Sequence, residues 1–183
     1  MTISTPNKPR HIAIVMDGNG TELEVKLDQI RSDSCKGIVV EERPGTGEPT
    51  INVTLHQALI KPDRFEYVLQ KGVEVGASRF VPFISARTDR LSVSRNRKKR
   101  WHRIIKESAE QSRRCIIPDL TDPKTFHEAL SMCDGLTLIP WEKEKKICLK
   151  EALTTQVESL KQDIKDVSIF VVFSSIVRTF CTI

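Results

Sequence analysis

From Ile51 to Phe173 short apolar stretches alternate with longer segments whose apolar residues recur every three or four positions. That alternation restricts the chain more than any other feature, because strands separated by helices pair as a parallel sheet with helices on its faces. The series opens with a strand at Ile51–Ile60. A helix at Asp63–Gly76 follows, with Phe65, Val68, Leu69 and Val73 at helical spacing and a glycine to end it. Next come a strand at Arg79–Ile84 and a long helix at Arg95–Arg114. The pattern then predicts a helix at Pro123–Cys133, capped by Asp122 with Pro123 in the first turn. A strand at Gly135–Ile139, a helix at Ile147–Gln162 and a strand at Val167–Phe173 complete it.

The residues before this series read differently. Glu22 to Ile30 alternates apolar and polar, as a half-buried strand does, and Gly37 to Glu42 is its natural neighbour. Pro44-Gly45-Thr46-Gly47-Glu48-Pro49 is a turn-rich linker. A domain boundary is therefore expected there, with a β domain at 1–48 and an α/β domain at 49–183. Ahead of the first long strand, Ile12 to Met16 runs into Asp17-Gly18-Asn19-Gly20, residues that accept the left-handed conformations of a tight turn.

Charge is concentrated in one place. Arg87, Arg90, Arg95, Arg97, Lys98, Lys99, Arg100, Arg103 and Lys106 fall within twenty residues that hold Asp89 as the one acidic group. A run of one sign on a loop and a helix start can neutralise several phosphates, with salt-sensitive affinity as the consequence. Cations at a helix start also oppose the macrodipole, so a partner is a better reason for them than capping. Trp101 lies inside this run, but its spacing with Ile104, Ile105 and Ser108 assigns it to the core rather than to a stacking platform. Arg113 and Arg114 sit where cations complement a helix end. Lys71 and Glu74, at i and i+3, read as a surface pair.

Other classes are disfavoured. No apolar run approaches the ~20 residues that span a bilayer. Five scattered cysteines without a paired spacing favour reduced thiols in a cytoplasmic protein over a disulfide framework or zinc site. His11, His56, His102 and His127 share no metal-ligand spacing, and there is no glycine-rich phosphate loop.

Several of these segments resemble consecutive motifs of one family. Gln70-Lys71, Glu74-Val75-Gly76, Pro82-Phe83-Ile84-Ser85-Ala86-Arg87, Arg100-Trp101-His102-Arg103-Ile104-Ile105, Glu110-Gln111-Ser112-Arg113-Arg114 and Pro118 are similar to those of the RsmE-type 16S ribosomal RNA uridine-N3 methyltransferases. The resemblance covers residues 20–170. It implies a SPOUT-like (trefoil-knotted) α/β domain preceded by a PUA-like β-barrel, here only partial. S-adenosylmethionine is the implied cofactor, 16S RNA or the small ribosomal subunit the implied partner, and a homodimer the implied assembly. Carried onto this chain, the catalytic residues are Arg87 and Arg113. The RNA-binding set is Arg87, Arg90, Arg97, Lys98, Lys99, Arg100, Arg113 and Arg114. Ile139, Pro140, Trp141 and Glu142 flank the cofactor.

The sequence departs from the family in two places. Ala86 stands where the family has an acidic residue before the loop arginine. After Phe170 the glycine-rich loops that build the knot and the cofactor pocket are replaced by Val171 to Ile183, and no glycine follows Gly135. The expectation is thus a chain cut short of its knot region. Two further readings remain: a non-catalytic RNA-binding protein that keeps the basic helix, and a prenyl diphosphate synthase fragment. The second rests on residues 9–20, which resemble the start of undecaprenyl diphosphate synthases, a reading under which residues 1–20 are foreign to the rest of the chain.

Overall fold

The structure is a computed structural model that describes residues 12–85, 93–140, 149–160 and 164–172. It divides into two compact units, Met1–Glu48 with Arg113–Ile116, and Pro49–Ser112 with Ile117–Ile183. The short piece Arg113–Ile116 therefore goes with the first unit, interrupting what the sequence presents as one continuous domain.

In the first unit β1 (Ile12–Met16), β2 (Thr21–Ile30) and β3 (Cys35–Pro44) form an antiparallel meander in that order. Met16 lies opposite Glu22, so the reversal between β1 and β2 is tight. Asp17 organises it: its Oδ1 accepts from the N–H of Asn19 (2.7 Å) and of Thr21 (2.9 Å). Gly18 and Gly20 take φ values of 82° and 103°, where a Cβ would be strained. The Asp-Gly-Asn-Gly run is thus a turn, and its carboxylate is occupied by backbone donors. Alternation puts Val15, Leu23, Val25 and Val39 on one face, from the pairs Val15–Leu23 and Val25–Val39.

The second unit contains a sheet of six strands: β4 (Asn52–Ala58), β5 (Arg79–Ile84), β6 (Asp119–Leu120), β7 (Lys124–Thr125), β8 (Leu136–Leu138) and β9 (Asp166–Val171). The order is β6-β5-β4-β9-β8, with β7 also on β5, and every pairing is parallel. Pro82 explains why β5 has two short neighbours on its outer side. It brings no N–H to a ladder, and it falls between the stretch paired with β6 (Arg79, Phe80) and the stretch paired with β7 (Phe83, Ile84).

Alternation along the strands sends side chains to two cores. On one face, α1 (Pro62–Glu74) and α2 (Arg95–Gln111) bury Phe65, Leu69, Val73, Trp101, Ile105 and Ala109 against Phe80 and Leu55. Trp101 is 2% exposed and its ring lies 4.5 Å from that of Phe65, as its spacing required. On the other face, Ala58, Val81, Phe83 and Phe170 pack with Phe126, Ala129 and Leu130 of α3 (Phe126–Leu130). Gly72 is needed here for closeness, since a Cβ would stand 2.5 Å from the Phe80 ring.

The expected helix at Pro123–Cys133 is corrected to these five residues. Thr125 rather than Asp122 caps it: Thr125 Oγ1 accepts from the N–H of Glu128, and Glu128 returns a carboxylate to the N–H of Thr125. That reciprocal box outcompetes the Asp-Pro start. Helix α2 ends at Gln111, three residues earlier than its spacing suggested, while α4 (Leu149–Leu160) falls within its expected range.

Candidate functional site

Two features of the second unit bear on function, the basic helix and the carboxyl edge of the parallel sheet. Helix α2 begins at Ser94, whose side chain accepts from the N–H of Arg97 (3.3 Å). Its first turn holds no acidic residue. The cations of this run then sort into two groups. Arg100 donates to both oxygens of Glu66 on α1, at 2.7 and 2.9 Å, and this raises its pKa above the ordinary guanidinium value. Lys98 forms an ion pair with Asp122, and its ammonium holds that carboxyl below the usual range. Arg97 and Lys99, by contrast, have no carboxylate in ion-pair reach among the described residues, and neither does Arg95 at the helix start.

Arg113 and Arg114 leave the helix and enter the first unit with different fates. Arg113 is exposed and has φ 56°, the one positive value outside glycine among the described residues. It occupies the position after a helix C-cap where glycine is usual. Arg114 is buried and donates to Glu48 Oε2 through Nη2 (2.7 Å) and Nε (3.2 Å). The other oxygen of Glu48 accepts from the N–H of Ile116 (3.0 Å). Burial alone would raise the Glu48 pKa, but Arg114 and these N–H donors outweigh it and hold it low. Arg114, expected among the RNA-binding residues, is buried in this ion pair, and its guanidinium secures the Arg113–Ile116 segment. Glu48, Glu66 and Asp122 are the carboxylate partners of these cations that sequence reasoning missed. Their partners are 66, 34 and 24 residues away, so no local pattern marks them.

The carboxyl ends of the strands form the second feature. The chain builds outward from β4 through β5 to β6, then returns to the opposite side with β8 and β9. In an open parallel sheet, ligands bind outside the carboxyl ends where strand order reverses, which here is between β4 and β9. Apolar groups surround that place: Val171 and Ile84 at strand ends are 39% and 41% exposed, and Leu138, Ile139 and Val172 are half-buried. Ile139 and Pro140, expected beside a cofactor, follow β8 directly on this edge. Arg87, Arg90, Trp141 and Glu142 lie outside the described residues, as do residues 1–11 and the tail from 173.

Beneath the edge, His56 of β4 is fully buried and stacked on Phe170 of β9, with rings 4.2 Å apart and 8° from parallel. Its Nε2 is 4.0 Å from Cys133 Sγ, and its Nδ1 has no hydrogen-bond partner among the described residues. Burial, followed by the Arg79 charge, lowers its pKa to about 4, so the ring is neutral at physiological pH. Among the described residues no group of His, Cys, Asp and Glu is arranged to hold a metal ion. No described helix is long and apolar enough to cross a membrane.

Comparison with known proteins agrees with this geometry. The chain is 32% identical over 160 residues to ribosomal RNA small subunit methyltransferase E of Bacillus subtilis, covering 85% of this chain and 61% of the relative. It is 33% identical to the protein of that name from Mesomycoplasma hyopneumoniae, over 67% of this chain and 56% of the relative. The chain thus spans about three-fifths of the length of these curated relatives. Among solved structures, ribosomal RNA small subunit methyltransferase E of Neisseria gonorrhoeae, bound to S-adenosyl methionine, superposes with a TM-score of 0.73 at 22% identity. That match covers 90% of this chain and 65% of the other. A putative methyltransferase of Legionella pneumophila, in complex with the same cofactor, gives 0.64 at 16% identity over 93% and 78%. Both superpositions establish the α/β fold with a parallel sheet flanked by helices. A family model described as an RNA methyltransferase domain matches residues 47–172, which takes in the sheet, the basic helix and the carboxyl edge alike. The chain belongs to that RNA methyltransferase domain family.

Proposed function

We propose that this chain carries the methyltransferase domain of a small-subunit ribosomal RNA methyltransferase, transferring a methyl group from S-adenosylmethionine to N3 of a uridine in 16S RNA. The observation that carries the reading is the family match over residues 47–172, which spans both the switch-point edge and helix α2. The half-buried Leu138, Ile139 and Val172 and the exposed Ile84 and Val171 fit the apolar part of a nucleoside ligand. Ile139 and Pro140, with Trp141 and Glu142, are the residues assigned to flank it. When bound, S-adenosylmethionine supplies an activated methyl on a sulfonium. The chain's own task is to align the base while the N3 proton passes to solvent water and S-adenosylhomocysteine leaves. A guanidinium beside the uracil favours its deprotonated form, since an opposite charge stabilises an anion, and this role is assigned to Arg87 and Arg113.

RNA phosphates are assigned first to Arg97 and Lys99, which have no carboxylate in reach, and to Arg90 on the preceding loop. Lys98 and Arg100 join them by exchanging Asp122 and Glu66 for phosphate. The alternating apolar face of β1 to β3 supports reading the first unit as part of a PUA-like barrel, and the second as a SPOUT-like domain. A cytoplasmic homodimer acting on the small subunit completes the proposal. The test is transfer of labelled methyl from S-adenosylmethionine to small-subunit RNA, followed by nucleoside analysis. Label in 3-methyluridine is the expected result. Label in another nucleoside refutes the assignment, and salt-dependent RNA binding without label favours the non-catalytic RNA-binding reading.

A further inference from the structure

Burial of Trp101 removes the one aromatic in the cationic run from contact with a partner, and draws attention to the single tyrosine. Tyr67 stands on the outer face of α1 and is 61% exposed, whereas Phe65, Phe80, Phe83, Trp101 and Phe170 are buried. Its surroundings are organised. Lys71, one turn along, holds its ammonium 5.9 Å from the ring centroid while pairing with Glu74 at 2.7 Å. Arg64, one turn back, is exposed and has no carboxylate in ion-pair reach among the described residues. Glu66, the adjacent acidic residue, is neutralised by the two hydrogen bonds from Arg100 of α2. Arg97 precedes Arg100 by one turn on the same helix. The ring is thus flanked by cations, with Glu66 and Glu74 already paired and Asp63 the exposed carboxylate one turn back on the same helix.

We propose that Tyr67 is a stacking platform for an unpaired base of the RNA that helix α2 engages, with Arg64 and Arg97 taking the flanking phosphates. The inference rests on the RNA reading given above and names a contact which that reading does not contain. Unpaired bases are recognised by stacking on aromatic side chains between cations that follow the backbone. An exposed ring already fixed on a helix provides that surface with few torsions left to order.

The experiment measures binding of an oligouridylate of about 12 nucleotides, within the usual single-strand site size, to the full chain over a range of salt concentrations. Tyr67→Ala should weaken binding about tenfold at every salt concentration, because the lost contact is stacking. Its salt dependence should match the wild type, whereas Lys99→Ala should make that dependence shallower by about one unit of slope. Tyr67→Phe keeps the ring and should bind within about twofold of the wild type. Unchanged binding by Tyr67→Ala overturns the proposal, and so does equal loss in Tyr67→Ala and Tyr67→Phe, which would assign the effect to the hydroxyl. A wild-type chain that does not bind the oligonucleotide overturns the RNA reading itself, and the stacking proposal with it.

Discussion

Acid should destabilise this protein through one buried histidine as well as through its paired carboxylates. His56 is fully buried on β4, stacked on Phe170, with a pKa lowered to about 4 by burial and then by Arg79. In the unfolded chain an imidazole titrates near 6.5. The sign follows from linkage: below that value the unfolded state binds a proton that the native state refuses, so stability falls as pH falls. The loss is about 1.4 kcal/mol per pH unit. It amounts to about 2 kcal/mol at about pH 5, rising to roughly 3 kcal/mol near pH 4, where the native ring itself begins to titrate. Above about pH 6.5 the residue contributes no pH dependence. The assay is urea unfolding across this range for the wild type and for His56→Phe, which retains a ring against Phe170. The carboxylates titrate in both proteins, so the difference between the curves isolates His56. It should grow by roughly 3 kcal/mol from neutral pH to about pH 4. Parallel curves would refute a buried neutral histidine at this place.

Three further expectations follow from the geometry. Arg113→Gly should stabilise the protein by about 1 kcal/mol, because a positive φ suits glycine, while weakening RNA binding; thermal unfolding and filter binding measure the two effects. Glu66→Gln should free Arg100 and steepen the salt dependence of RNA binding by up to about one unit of slope, measured by titration at several salt concentrations. Trp101→Ala should lower stability by about 3–5 kcal/mol, seen as a fall in urea midpoint, and any loss of RNA affinity should track unfolding rather than a missing stacking contact.

Strands and helices were legible wherever apolar periodicity ran long enough. Phe65, Leu69 and Val73 recur at helical spacing and are buried along one helix, and Phe80 and Val81 alternate between two cores. The region after Pro118 was less legible, because β6 and β7 have only two residues each and two residues carry no period. Helix α3 was misplaced for a related reason. An Asp-Pro pair looks like a helix start until Asp122 is seen to serve Lys98, leaving the cap to Thr125. Trp101 was legible because its helical spacing with Ile105 and Ser108 puts it on the buried face of its own helix. The roles of the arginines were not readable in full, since their identity shows a cation and not what it faces. Glu48 and Glu66 reach Arg114 and Arg100 only through tertiary structure, so one guanidinium expected at an RNA surface proved buried.

The most direct test of the account is a calorimetric titration of S-adenosylmethionine into the purified chain, repeated with Ile139→Asp. The proposed function rests the nucleoside against the apolar carboxyl edge that includes Ile139. It predicts saturable binding by the wild type and at least about tenfold weaker binding by the variant, since a carboxylate in an apolar contact is costly to desolvate. Absence of heat from a chain shown to be folded, or equal binding by both proteins, would contradict it.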